Sequence, residues 1–377
     1  MNDFYEQKAN KYKYKYLKLK NELKGGMFRG LLKYIGIDHT NCEQKIYTFS
    51  PPIQILSVPN KLLTNEYIGQ IMTYDEYDNY MKIKNLDKDD KCTFKVVYEN
   101  KSINQSDIKI SEYKNCLDAK ITYNYIISKK SGKLFSQLEK KEDINKDNIK
   151  DILKSLKEGI EKIIKPLYEK GIILGNIKME NMYLDTSKVY FSDYSKMHTY
   201  TDNNKVAVFS ANLNTKIKSA KPNYSLLLAP FFKLEKDKND KTKGQKEAYD
   251  KEFLKSFYET NIIIKDDSIS EIDRKDALDA LNAMIPSGYN KSLDEFYNDY
   301  IKNLAQNTDI YAIVMFIYII FMGKDKTDKN MFEIGDQIQE QTKTLIQNLY
   351  DTVLKNDSKI SIKYLIDQID KIIESIK

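Results

Sequence analysis

The chain holds little of what most metal and nucleophile chemistry is built from. Only His39 and His198 occur among 377 residues, which argues against a histidine-rich metal centre and against a serine-histidine catalytic pair. Its three cysteines, Cys42, Cys92 and Cys116, stand far apart without a C-x-x-C spacing. Neither a disulfide framework nor a zinc site is signalled, and a reducing, cytoplasmic setting is the expectation. No apolar stretch reaches the ~18 to 20 residues that cross a bilayer. The longest, Ile310 to Met322, reads as a buried helix, and the first residues lack the apolar segment of a secretory leader. Charge of one sign is not gathered anywhere: 61 Lys and Arg against 55 Asp and Glu are dispersed along the length, so there is no specific nucleic-acid signal. Glycine and proline are scarce while Lys, Asn, Ile and Tyr are heavily used, a bias that an AT-rich genome produces without functional cause.

What is present suits a globular protein long enough for one large or two modest cores. Tyr5, Ala9, Tyr12, Tyr16, Leu19 and Leu23 fall on one helical stripe with Lys8, Lys11, Lys15, Lys18 and Lys20 around it, and Gly25-Gly26 stops the helix. This basic amphipathic leader, residues 1–26, reads as a docking helix or short coiled coil with solvated lysines. A contact with an acidic partner or a membrane surface is the second reading. A processing signal is the third, since a lysine- and tyrosine-rich leader ending in Gly-Gly resembles leaders on proteins of large nucleo-cytoplasmic DNA viruses, some of which are cut after paired glycines.

From residue 27 to about 127 the pattern is one of short alternating runs, at 54–58, 67–72, 92–98 and 119–127, with a short helix predicted over 74–85. After Ser131-Gly132 it turns helical. Ile149 to Lys170 carries its apolar residues at helical spacing, and further helices are expected at Ile310 to Met322, Leu345 to Val353 and Ile362 to Ile376. The expected class is α+β.

The stretch Leu174-Gly175-Asn176-Ile177-Lys178-Met179-Glu180-Asn181, followed by a hairpin signal and then Phe191-Ser192-Asp193-Tyr194-Ser195, resembles the catalytic loop and metal-binding strand end of protein kinases. There the motifs read H-R-D-x-K-x-x-N and D-F-G. The resemblance implies a two-lobed protein kinase-like fold, with a small antiparallel-sheet N-lobe over 27–127 and a mainly helical C-lobe over 128–377 that carries an insertion at about 233–303. It implies that Lys178 steadies a transferring phosphate, that Asn181 and Asp193 hold Mg2+, and that ATP is the nucleotide. Asp309-Ile310-Tyr311-Ala312 resembles the family's D-x-W-S/A, whose aspartate accepts backbone hydrogen bonds from the catalytic loop. Ala229-Pro230-Phe231 resembles A-P-E without its acidic residue.

The departures are as informative. Asn176 stands where the proton-accepting aspartate belongs, and a carboxamide cannot take a proton near neutral pH. Between Phe49 and Tyr67, where the family has a glycine-rich loop, there are Pro51, Pro52 and Pro59 and no glycine; proline has no N–H to offer a phosphate. The strand lysine is best matched by Gln70, leaving Glu76 as its helix partner. Lys95 is the other candidate, but its strand follows the helix when it should precede it. The resemblance therefore implies a catalytically impaired, pseudokinase-like protein that binds or scaffolds a protein partner. Two alternatives stand beside it: a divergent serine/threonine kinase with weak Mg-ATP-dependent transfer, and a structural, virion-associated protein that makes contact through its leader helix.

Overall fold

A computed structural model describes residues 46–48, 66–103, 122–135, 144–175, 177–192, 197–199, 248–250, 287–292, 306–322, 334–354 and 359–376, with positions 120, 138, 194, 252, 279, 282, 285 and 332. The leader helix, the 54–58 strand, the three prolines, Ala229-Pro230-Phe231 and most of the 233–303 insertion lie outside the described residues, as do Asn176 and Asp193. The architecture is α+β, with small antiparallel sheets and helices. The described residues fall into two compact units, one within Met1–Leu138 and Met182–Asp185, the other within Glu139–Asn181 and Thr186–Lys377. Among the described residues no helix is long and apolar enough to cross a membrane.

The first unit contains β1 (Ile46–Thr48), β2 (Tyr67–Met72), α1 (Tyr74–Leu86), β3 (Val96–Ile103), β4 (Tyr123–Lys129) and β5 (Lys133–Leu134). Four strands form an antiparallel sheet in the order β1-β2-β4-β3. Tyr123 to Ser128 of the inner strand β4 are all buried, Asn124 and Ser128 included, so the alternation read from the sequence there does not mark one buried and one exposed face. β5 pairs with the strand Met182–Asp185, and Phe94 stands edge-on to Tyr183 with ring centroids 4.8 Å apart. Gly132 turns the chain into β5 at φ 73°, where a Cβ would lie 2.0 Å from the Leu184 carbonyl oxygen. Only glycine fits there.

α1 starts on a capping box. The Glu76 Oε2 accepts from the Thr73 N–H at 2.7 Å, and the Thr73 hydroxyl oxygen accepts from the Glu76 N–H at 3.4 Å. Tyr77, Tyr80 and Ile83 bury one face of the helix, and the Tyr77 hydroxyl donates to the Glu99 carboxylate on β3. At the other end, Asp87 is buried and gathers the following loop: its carboxylate accepts from the N–H of Lys91 at 3.1 Å, Cys92 at 2.9 Å and Thr93 at 2.8 Å, and from the Thr93 hydroxyl at 2.8 Å. This carboxylate accounts for a shift from the sequence expectation. A strand was predicted over 92–98, yet β3 begins only at Val96, because the N–H groups of 92 and 93 are committed to Asp87.

The second unit opens with α2 (Ile149–Gly159), a π-helical turn (Ile160–Ile164) and α3 (Lys165–Glu169). The sequence predicts one uninterrupted helix over this span. Pro166 explains the widened turn: lacking an N–H and crowding the preceding carbonyls, it favours a wider ladder, and the Lys165 N–H donates to the Ile160 carbonyl. After β6 (Ile172–Ile173) come the strand of the first unit already described, β7 (Met182–Asp185), then β8 (Lys188–Phe191), β9 (His198–Thr199), β10 (Ala248–Asp250) and β11 (Asn290–Ser292). α4 (Thr308–Met322) is apolar all round apart from its first turn and buried almost throughout, as the sequence predicts. α5 (Glu340–Leu354) meets it, with Tyr318 and Tyr350 stacked at 4.4 Å. α6 (Ile362–Ser375), capped by Ser361, is tied to α2 through Lys157 and Asp370 at 2.6 Å.

Removing the Asp87 carboxylate leaves two buried N–H groups without their acceptor, at about 1 to 3 kcal/mol each. Asp87→Ala is expected to lower stability to chemical denaturation by about 2 to 4 kcal/mol and Asp87→Asn by less, since an amide oxygen still accepts. A change within ~0.5 kcal/mol for Asp87→Ala would mean that Asp87 does not hold this loop.

Candidate functional site

α3 ends where the Lys170 and Gly171 N–H groups fold back on the Leu167 and Tyr168 carbonyls, at 3.0 and 2.9 Å. Gly171, at φ 72°, supplies the left-handed residue that closes the helix and releases the chain into β6. β6 pairs antiparallel with β9, Ile172 opposite Thr199 and Ile173 opposite His198, so the chain from 174 to 197 is a loop closed at its neck.

At the start of that loop the Leu174 N–H donates to Asp309 Oδ2 at 2.6 Å and the Gly175 N–H to Oδ1 at 2.8 Å. Asp309 is 2% exposed and sits in the first turn of α4. Gly175 adopts φ 71°, a conformation that presents its N–H beside that of Leu174 without a Cβ penalty. A second brace ties α3 to the residues just before α4: the Tyr168 hydroxyl accepts from Gln306 Nε2 at 3.0 Å and donates to Asn307 Oδ1 at 3.5 Å.

Beyond position 176, Ile177 is buried and Lys178 half-buried, and a 3-10 turn over Met179–Asn181 places the Asn181 N–H on the Lys178 carbonyl at 2.9 Å. Asn181 is 3% exposed. Its carbonyl accepts from the Ser192 N–H at 3.1 Å and the Ser192 hydroxyl at 2.8 Å. The structure thus brings Asn181 against the residue that immediately precedes position 193. Tyr194, also buried, donates its hydroxyl to the Phe191 carbonyl at 2.6 Å.

β8 is seated on α2. The Val189 N–H donates to Ser155 Oγ at 2.9 Å, and one helical turn later Gly159 leaves room for the Phe191 ring, whose edge a Cβ would meet at 2.5 Å. Positions 155 and 159 on the helix face positions 189 and 191 on the strand, an i, i+4 step against an i, i+2 step.

Of the six residues singled out from the sequence, Lys178 and Asn181 lie on one turn of the second unit. Gln70 and Glu76 lie in the first unit. Gln70 is half-buried in β2, opposite Ile46 and Ile126, and Glu76 forms the α1 cap. Asn176 and Asp193 are outside the described residues. Lys95 stands just before β3 and after α1, so the strand that precedes the helix is the one carrying Gln70. Among the described residues no cluster of three His, Cys, Asp or Glu could hold a metal. Mg2+ does not demand one, since it takes hard oxygens, often one or two from protein with the rest from phosphate and water.

Ser155, Gly159, Tyr168 and Asp87 carry contacts that the sequence reading did not single out. The capping box had a visible signal in Thr73-x-x-Glu76. The Gly159 and Phe191 contact had none, because nothing local marks a glycine that faces a ring on a distant strand. The chain matches no model of a known protein family and no curated protein.

Burial pushes the Asp309 carboxyl up to about 6 from 3.8, against the opposing pull of the two N–H groups. The folded chain therefore binds this proton more tightly than the unfolded chain, and the group's contribution to stability declines as pH rises from about 4 to about 6. That contribution is expected to be about 2 kcal/mol smaller at pH 7 than at pH 4.5. Denaturation curves of wild type and Asp309→Asn at the two pH values check this, because the variant has nothing to titrate there; parallel losses in both proteins would refute it.

Proposed function

We propose that the chain is a degenerate protein kinase-like protein, two-lobed in plan, impaired in phosphoryl transfer and working as a binding or scaffolding module. One observation carries the reading: a buried aspartate heading an apolar helix grips two successive backbone N–H groups at the entrance to the turn that bears Asn176, Lys178 and Asn181. That is the contact implied for Asp309 by the resemblance to D-x-W-S/A. The Asn181 carbonyl on Ser192 supports the same reading, since the resemblance assigns the two metal positions to Asn181 and Asp193.

What this turn can do follows from its residues. Lys178 supplies a fixed positive charge two positions beyond 176, suited to a phosphate. Asn181 with Asp193 would hold Mg2+, which, when bound, neutralises charge on the phosphates of ATP. Asn176 can orient a hydroxyl but cannot deprotonate it, and the loss of a general base lowers rates by about 10² to 10⁴. Gln70 offers no cation to the phosphates, and the proline-bearing stretch offers few N–H groups. A slow Mg-ATP-dependent transfer to serine or threonine is the second reading, favoured by the retention of Lys178 and Asn181.

Phosphate transfer should be undetectable or slower by about 10² to 10⁴ than in ordinary kinases for the wild type, and should rise with Asn176→Asp. A wild type that transfers at ordinary kinase rates overturns the impaired reading. Melting with and without Mg-ATP addresses binding separately: a ligand at a hundredfold excess over its dissociation constant adds about 2.7 kcal/mol, whereas no shift at millimolar nucleotide leaves a scaffold without nucleotide.

A further inference from the structure

Asp309 meets the loop with both carboxylate oxygens, one to each N–H: Oδ2 to Leu174 at 2.6 Å and Oδ1 to Gly175 at 2.8 Å. It is buried, so water does not make good a bond that is lost there. An ionised carboxylate only accepts, whereas the protonated acid carries an O–H that donates. Protonation therefore puts a hydrogen on an oxygen that already faces an N–H, which weakens or breaks that bond, and it removes the charge that strengthened both. The restraints nearby do not share this dependence: β6 pairs with β9 through backbone groups, and the Asn181 N–H rests on the Lys178 carbonyl. Of the titratable residues on neighbouring elements, Tyr168 of α3 has its hydroxyl engaged by Gln306 and Asn307, and Glu169 and Lys170 at the end of α3 are exposed. Lys178 is half-buried four positions beyond Leu174, His198 of β9 stands opposite Ile173, and Tyr311 follows Asp309 on α4. The stacked pair of α4 and α5, Tyr318 on Tyr350, is about 13 Å further along the helix axis. Burial and the two N–H bonds account for where the Asp309 carboxyl titrates.

We propose that Asp309 is a proton-operated clasp on the entrance to the turn over 177–181: as a carboxylate it holds the N–H groups of Leu174 and Gly175 together, and as an acid it loosens its hold on them. The turn is then fixed near neutral pH and released in mild acid. The neck made by β6 and β9 stays closed in both states, so the change is confined to the chain beyond Ile173. Gly175, at φ 71°, has no Cβ to confine it once its N–H is free. The proton has two effects of opposite sign. Acidification strengthens the fold as a whole, because the folded chain binds this proton more tightly than the unfolded chain, yet it weakens the grip on the loop. General loosening of the protein does not produce that pair of signs. The inference concerns the backbone alone and stands whether or not the kinase-like reading does.

Gly175 is the one glycine of the chain preceded by leucine, and Gly159 the one preceded by glutamate. Full-length protein carrying 15N-glycine with carbonyl-13C leucine or glutamate therefore gives a single filtered amide signal for each in NMR. From about pH 7.5 to about pH 5 the Gly175 amide proton is expected to move upfield in one step, as its hydrogen bond weakens. Its protection from hydrogen exchange, corrected for the intrinsic rate at each pH, is expected to fall about three- to tenfold. Gly159, in α2, is expected to keep its protection or gain. In Asp309→Asn, which has nothing to titrate at that position, the Gly175 signal should not respond over the same span. A wild-type Gly175 signal that stays still overturns the proposal. So does one that moves equally in Asp309→Asn, which assigns the proton to another group, and so does a parallel fall in protection at Gly159, which means general loosening. If Asp309→Asn does not fold, His198→Gln takes its place: an unchanged Gly175 titration is the expected result, and its disappearance overturns the proposal.

Discussion

A single buried carboxylate sets the geometry on which the second unit's candidate site depends. Asp309 lies at the head of α4, a helix otherwise built almost wholly from apolar side chains, and it accepts from Leu174 and Gly175. Moving a carboxylate out of water is costly, and two charge-assisted hydrogen bonds with the first-turn helix dipole offset part of that cost. The location is therefore narrow. The two N–H groups find their acceptor only where α4 begins, and α4 can begin only where its apolar faces are covered. Burial of the helix thereby positions the start of the turn.

The far end of the same loop is held by different means. β8 docks on α2 through a hydroxyl at Ser155 and an absent side chain at Gly159, and the strand then delivers Ser192 to the Asn181 carbonyl. β6 and β9 close the neck. The turn is thus held by backbone bonds made at both of its ends, with Lys178 half-buried and Ile177 and Asn181 buried. This is the pattern expected of a site placed on rigid supports.

How far this was legible in the chain varies with the kind of interaction. β2 was readable to its ends because its short alternating run is set off by polar flanks, and α4 because its apolar run is too long for a strand. α1 was readable from tyrosines at helical spacing, though its cap was overlooked. β3 was placed too early because propensity cannot register that Asp87 claims the N–H groups of Cys92 and Thr93. At the site, the identities at 176, 178 and 181 and the expectation for Asp309 came from the resemblance, and the Asp309 bonds fall where it implied. The supports contributed by Ser155, Gly159 and Tyr194 were not legible, since each acts on a residue that comes near only in the folded chain or through a bond that spacing does not encode.

The π turn between α2 and α3 has a bearing on how this chain could have acquired its length. A ladder that reaches back five residues accommodates one more residue than an α-helix over the same number of hydrogen bonds. Forcing regular α geometry on the same number of residues would rotate everything beyond it by about 100°. Tyr168 would then face away from Gln306 and Asn307, and the glycine that launches β6 would point the chain elsewhere. The segment from Ile160 to Ile164 is accordingly a spacer in which residue count and ladder type are coupled, tolerant of changed side chains but not of a change in one without the other.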